Sequence, residues 1–339
     1  MNALSLVDGP FADDFFPFSL TRSVADIRCG ILTIREKWNY RLKNLSPLSA
    51  DLSIPANIIP DEGLIRSITG LNPQPVYDGA TRLLDLTDIL RHNASEIKND
   101  FKLITEGRKS NPISSTNRIT GTDIFLEQGA VVEHCYLNAS EGPVYIGKDA
   151  LLMEGSLIRG PFAIGEKSVV KMGARIYGAT SAGPQCVLGG EIKNCIFFGY
   201  SNKAHDGYLG DSVIGDYCNL GAGTSNSNLK NSGGEVSLWN PLKNSFLKAG
   251  LKCGMFMGDY SRSAINTSFN TGTVVGTSCH VFGNGLTPAY LPSFSWGIDG
   301  SVYAFEKAVK HINKWKSLKG QQLSPGEKTQ LKYIFEKKK

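Results

Sequence analysis

The sequence predicts a mainly β protein. A left-handed parallel β-helix of hexapeptide repeats is expected at residues 121–300, after a small N-terminal α/β or helical domain and before C-terminal helices. Three observations carry this. Apolar residues recur every six positions at Ile146, Leu152, Ile158, Ile164, Val170 and Ile176. Four residues after each stands a second inward candidate: Ala150, Ser156, Phe162, Ser168, Ala174 and Thr180. Glycine is in surplus, 37 of 339 residues, and 27 of them lie from Gly142 to Gly300.

A period of six fits neither the 3.6 of a helix nor the alternation of a hairpin sheet. It fits a triangular prism in which each hexad is one short strand plus a turn and three hexads make a coil. Leu126 and Val132 take the same step earlier, with Ala130 in the second slot. Ile214-Gly215 with Cys218, Leu220-Gly221 with Thr224, and Val275-Gly276 with Cys279 resume it later. Known coils of this kind wind left-handed, against the usual crossover rule.

The elements before the coil are less regular. Residues 23–38 read as a helix broken near Gly30, residues 46–75 are richer in proline and glycine, and 87–100 read as a second helix. The first 105 residues form one shortened domain, and 106–120 a polar linker. After the coil, Val302, Phe305, Ala308, Val309 and Ile312 make one apolar helix face. Ser324-Pro325-Gly326-Glu327 is a capping box with proline at the first helical position. These helices are expected as a cap over the open end of the coil.

Composition bounds the rest. At 41% hydrophobic and 20% charged residues there is material for a core and no disorder signature. Nothing approaches the ~18 apolar residues of a membrane span, and the start of the chain lacks a secretory pattern. A cytoplasmic protein is expected. The net charge of +5 is local: residues 301–339 carry ten lysines and three glutamates, leaving −2 for the rest. A solvated lysine face is expected there rather than a nucleic-acid surface. Seven cysteines without a CxxC pair read as reduced core thiols.

Chemistry is expected where the hexads lapse, at 189–210. Lys193, Lys203, His205, Asp206 and Tyr208 fall within sixteen positions there. A histidine is the natural proton acceptor at neutral pH, and nearby cations suit a phosphate. His92, His134, His280 and His311 show no metal-ligand spacing, so no metal is expected. Phosphate loops of the GxxxxGK[ST] and GxGxxG kinds are absent.

The string Lys203-Ala-His205-Asp-Gly-Tyr208-Leu-Gly-Asp, then Asn219-Leu-Gly-Ala222-Gly-Thr and Asn228, resembles a known family. It is the bifunctional N-acetylglucosamine-1-phosphate uridylyltransferase/glucosamine-1-phosphate acetyltransferase family, and specifically its acetyltransferase domain. The N-terminus, 17–38, resembles a Bacteroidetes-type variant of that family. The resemblance implies His205 as general base, and Tyr208 and Asn219 as sugar-phosphate contacts. It implies Arg175 and Lys193 as the cations on the phosphate, across a one-residue gap before His205. It implies Ala222 and Asn228 beside the thioester of acetyl-coenzyme A, with Leu229 where the family has tyrosine. A further family lysine corresponds to Lys243 or Lys248, at an insertion-like segment of 230–248. The nucleotidyltransferase half is shortened: Thr21-Arg22 is an echo of its loop, and a packing or oligomerisation role is expected for residues 1–105.

The expected activity is therefore acetyl-coenzyme A-dependent N-acetylation of an amino-sugar phosphate such as glucosamine 1-phosphate. Attack is direct, with Cys195 and Cys218 as fillers rather than nucleophiles. Alternatives are N-acylation of a nucleotide-linked amino sugar, sugar-1-phosphate nucleotidyl transfer, and a non-catalytic assembly role. A homotrimer with sites between subunits is expected.

Overall fold

The hexads wind into a parallel β-helix whose three faces differ in what covers them. The computed structural model describes residues 4–43, 51–69, 77 and 79–337; the proline- and glycine-rich stretch 46–75 lies partly outside these. The first face stacks Arg118–Thr120, Tyr136–Asn138, Leu157–Arg159, Arg175–Tyr177, Glu191–Phe197 and Tyr208–Ile214 in parallel. The last two strands bend onto the second face, which runs from Ile124–Leu126 to Tyr290–Leu291. The third runs from Val131–Val132 to His280–Val281.

The expected inward residues are inside. Ile146, Leu152, Ile158, Ile164, Val170 and Ile176 are at most 2% exposed and form one core cluster. The small polar slots bond between coils: Ser168 Oγ donates to the Gly183 carbonyl at 2.9 Å and accepts the Cys186 N–H at 2.8 Å. The glycine after an inward residue is there for close approach. A Cβ on Gly165 would lie 2.6 Å from the Gly183 backbone. The left-handed corner conformation instead falls two residues on, at Lys167 and its stacked equivalents Asp149 and Gln185.

The N-terminal segment packs on the second face. Strand Leu4–Val7 pairs in parallel with Leu52–Pro55. Helices α1 (Ile34–Leu42), α2 (Glu62–Thr69) and α3 (Leu86–Thr105) complete it. Its apolar core continues without a break into Ile196, Val213, Phe256 and Val274, the outward residues of that face. The helix expected at 23–38 is shorter than read, starting only at Ile34 behind a Thr33–Glu36 capping box. Residues 24–26 form one 3-10 turn, and the Ile31 and Leu32 N–H groups donate to Asp100 of α3. That tertiary bond outcompetes helix propensity.

The C-terminal helices α4 (Phe305–Ser317) and α5 (Pro325–Lys337) do not cap the coil end. The coil ends are met instead by Ile113 and Ile298, which pack against the core. Helix α4 runs along the third face. Lys307 sits over Trp296, His311 near His280, Trp315 over Arg262, and Lys319 bonds Asn202. A four-residue helical step thus advances along the outward row of the coil. Ala308, Ile312, Leu331 and Ile334 bury against Tyr217, Tyr260 and Phe294, stacked corner residues. The tail lysines are accordingly not all solvated: Lys316 is 4% exposed, bonded to Glu327 at 2.7 Å. The Ser324–Glu327 capping box forms reciprocally. No helix among the described residues is long and apolar enough to cross a membrane.

Candidate functional site

With the second face covered by the N-terminal segment and the later third face by α4, the first face is left bare by the described residues. Tyr136, Leu157, Arg175, Tyr177 and Lys193 all lie exposed on it. A shallow groove there is lined by Tyr136, Leu157, Arg159, Arg175 and Tyr177.

The lapse in the hexads lies at the edge of this face. Lys203 ends a third-face strand, residues 204–207 turn the corner, and Tyr208 opens a first-face strand. His205 and Asp206 are exposed at that corner. The Asp206 carbonyl accepts the Gly223 N–H at 2.9 Å, which stacks the Gly221–Ala222–Gly223 corner one coil beyond His205. Ala222 is therefore in the adjoining layer.

Register aligns the rest of the first face. Arg175, Glu191 and Tyr208 stand in one row, and Tyr177, Lys193 and Gly210 in the next outward row. At ~4.8 Å per coil, the Arg175 backbone is about 10 Å from that of Tyr208. Glu191 lies between them, 3.8 Å from Arg175. Arg175 and Lys193 thus stand on the two first-face strands that precede that of Tyr208 in the stack.

Tyr208 lies back over Gly210. A Cβ on Gly210 would be 2.3 Å from the tyrosine oxygen, so only glycine leaves that ring position open. Asn228 Nδ2 donates to Tyr208 Oη at 3.1 Å and also to Asp211 Oδ2. Asp211 Oδ1 accepts Asn194 Nδ2 at 2.7 Å. Burial, then the charge of Asp211, pushes the Tyr208 hydroxyl up to about 12, so it remains protonated at neutral pH. Tyr208 and Asn228 are joined directly, and Asn228 in turn holds Asp211, a carboxylate to which the sequence gave no role.

Two expected residues stand apart. Asn219 is on the outward row of the third face, where its Oδ1 accepts from Asn202 Nδ2 at 3.4 Å. A corner separates it from Tyr208. Leu229 is 45% exposed and bridges to Lys252, a cation that sequence reasoning missed. Of the two lysines left open, Lys243 pairs with Asp14 of the N-terminal segment. Lys248 is 81% exposed, with Glu235 at 3.5 Å.

All seven cysteines are buried, and none forms a disulfide. Burial pushes the Cys195 and Cys218 thiols far above their ordinary range, which suits core fillers. Thr21 and Arg22 are committed to the coil. Thr21 Oγ1 donates to Asp259 Oδ2 at 2.6 Å, and Arg22 pairs with Asp259 and, at 2.9 Å, with Asp216.

Comparison with known proteins gives two likenesses. Residues 4–77 match the model of the sugar nucleotidyl transferase family. The bifunctional protein GlmU of Wigglesworthia glossinidia brevipalpis is 30% identical over 203 residues, 59% of this chain and 37% of that one. GlmU of Methanocaldococcus jannaschii is 33% identical over 91 residues, 27% of this chain and 22% of its own. The bifunctional sugar-1-phosphate nucleotidylyltransferase/acetyltransferase of Sulfurisphaera tokodaii is 32% identical over 93 residues, 27% and 23%. The chain thus spans well under half the length of these relatives. Against the polySia-specific acetyltransferase NeuO the TM-score is 0.23 at 9% identity, over 59% of this chain and 94% of that one, too low to bear on fold or function. By sequence, then, residues 4–77 are similar to the sugar nucleotidyl transferase family, and the chain is similar over part of its length to the bifunctional GlmU proteins.

Proposed function

We propose that this protein is a coenzyme A-dependent N-acetyltransferase acting on an amino-sugar phosphate, of which glucosamine 1-phosphate is the simplest candidate. The carrying observation is the placement on one face and its edge of exposed His205, the bonded pair Tyr208–Asn228, and the cations Arg175 and Lys193 on the two preceding coils. The GlmU likeness supports the same reading.

The chemistry needs placement more than activation. The neutral sugar amine attacks the thioester carbonyl, and the C–S bond breaks as the amide forms. His205 takes the proton lost by nitrogen, and the coenzyme A thiolate leaves. Arg175 and Lys193 hold the phosphate by charge-assisted bonds. Tyr208 contacts the sugar, with its hydroxyl fixed by Asn228. Ala222, Asn228 and Leu229 line the acetyl donor from the neighbouring layers. Asn219 contributes from across the corner or from a site shared between subunits.

The bare first face supports a homotrimer in which neighbouring prisms complete each site. The capture of Thr21 and Arg22 by coil aspartates supports a packing role for the N-terminal segment over nucleotidyl transfer. The test is thiol release from acetyl-coenzyme A against a panel of amino sugars, their 1-phosphates and nucleotide-linked amino sugars. Selective turnover of an amino-sugar phosphate supports the reading, and turnover of nucleotide-linked sugars alone, or of none, overturns it. Sedimentation that finds an active monomer would remove the trimer.

A further inference from the structure

We infer that Lys203 is a positioning residue for acetyl transfer, placed in the core of the coil to hold the main chain that presents His205. The inference rests on the reading of His205 as the base.

The inward slot of the third face is filled, coil after coil, by Val132, Leu152, Val170, Leu188, Lys203, Leu220, Ser263 and Val281. Every other long side chain in that column is an apolar one. Lys203 is 1% exposed, between Leu188 at 0% and Leu220 at 2%. Its stem takes the place of a leucine. Its ammonium donates to the Gly189 carbonyl at 3.3 Å and to the His205 carbonyl. Both acceptors are main chain, and none of its hydrogen bonds goes to a carboxylate.

A buried ammonium hydrogen-bonded only to carbonyls is a poor choice for stability, because the nearby charge of Asp206, with no salt bridge formed, offsets only part of its lost hydration. Burial pulls the group down to about 8, the direction such desolvation demands. Leucine at this position would serve the core better, so the lysine answers to another requirement. The two carbonyls it joins belong to consecutive corners of the stack, and the second is that of His205. The same corner is tied on its far side by the Gly223 N–H to the Asp206 carbonyl. Lys203 and Gly223 thus clamp residues 205–206 from two layers. The imidazole has no helix or packed strand to fix it, and the clamp supplies what the irregular corner lacks.

The test uses the full chain with Lys203→Met and, as a second variant, Lys203→Leu, which copies the neighbouring coils. Thiol release is measured with acetyl-coenzyme A and glucosamine 1-phosphate, beside His205→Asn. The expected result is a kcat lowered ~10- to 100-fold, as a misplacement of about 1 Å costs. KM for the sugar should stay within about threefold, because the phosphate cations are untouched, while the melting temperature is unchanged or raised. Amide exchange of the peptide covering 204–208 should quicken while the rest of the coil keeps its protection. A merely structural lysine would move melting temperature and leave kcat of the folded protein alone. Normal kcat in Lys203→Met beside a crippled His205→Asn overturns this inference and leaves the base in place. Normal turnover of His205→Asn removes the base, and this inference with it. Failure of both lysine variants to fold would assign Lys203 to the fold and overturn the inference too.

Discussion

Replacing Arg22 with methionine tests how the N-terminal segment is fastened to the coil. The guanidinium is 13% exposed, faces Asp216 and Asp259, and sits 4.9 Å from the Phe198 ring. Removing one partner of a buried ion pair costs about 3–5 kcal/mol, because it strands the other charge. Here the lower end applies. Asp259 keeps the Thr21 hydroxyl at 2.6 Å and the Asp216 N–H at 2.8 Å, and Asp216 is 25% exposed. Loss of the ring contact adds about 0.5–1 kcal/mol. The variant should therefore lose about 3–4 kcal/mol at pH 7.5 by equilibrium urea unfolding.

The loss should depend on pH with a definite sign. Burial raises the Asp216 carboxyl while Arg22 lowers it, and burial prevails. Without Arg22 the carboxyl rises further. A group whose folded pKa lies above its unfolded value contributes stability below that unfolded value and loses it as pH rises through the folded one. The deficit should then be full at pH 7.5 and shrink as pH falls toward 5. A loss below about 1 kcal/mol, or an equal loss at both pH values, would refute the ion-pair account.

Gly210→Ala should push Tyr208 off its place, since the new Cβ would meet the hydroxyl at 2.3 Å. One hydrogen bond of about 1 kcal/mol corresponds to a rise of roughly fivefold in KM for the sugar phosphate, with kcat less affected. Cys195→Ala and Cys218→Ala should keep turnover within about twofold while lowering the melting temperature, because both thiols are core residues. Exhaustive chelation should leave thiol release unchanged, since an amine attacking a thioester needs a base and no Lewis acid. Abolition by chelation with recovery on adding zinc would contradict that.

Much of the fold was legible because the core of a β-helix repeats on a strict period. Ile146 through Ile176 could be placed inward from spacing alone, and the structure buries each of them. The flanking helices were harder. An apolar face such as Ala308 and Ile312 says that a helix must pack, and nothing local says whether against the end or the side. The stacked corner residues Tyr217, Tyr260 and Phe294 decided it, and their nearness is a tertiary fact. Residues 24–31 have helix-like apolar spacing, yet the Gly30 and Ile31 N–H groups bond Asn93 and Asp100 far along the chain. The Thr33–Glu36 capping box, a signal in the sequence that the helix expected at 23–38 overlooked, marks the true start of α1.

The site divides in the same way. His205 and Tyr208 are close in sequence and their shared corner could be read from the lapse in the hexads. The Asp211–Asn228–Tyr208 link could not, because seventeen residues and one turn of the coil bring Asn228 back over Asp211. Lys203 could not be placed from spacing either: it stands off the six-residue step from both Leu188 and Leu220, and only the strand pairing sets it in their inward column.

The central claim, that His205 receives the proton in acetyl transfer, is tested most directly by kcat of His205→Asn with acetyl-coenzyme A and glucosamine 1-phosphate. The side chain is exposed, so the variant should fold with an unchanged melting temperature. Its kcat should fall by roughly 10²–10⁴-fold, the usual contribution of a positioned base. Part of the rate should return as pH rises and free amine accumulates. Turnover within a few-fold of the parent, in a folded protein, would contradict the account.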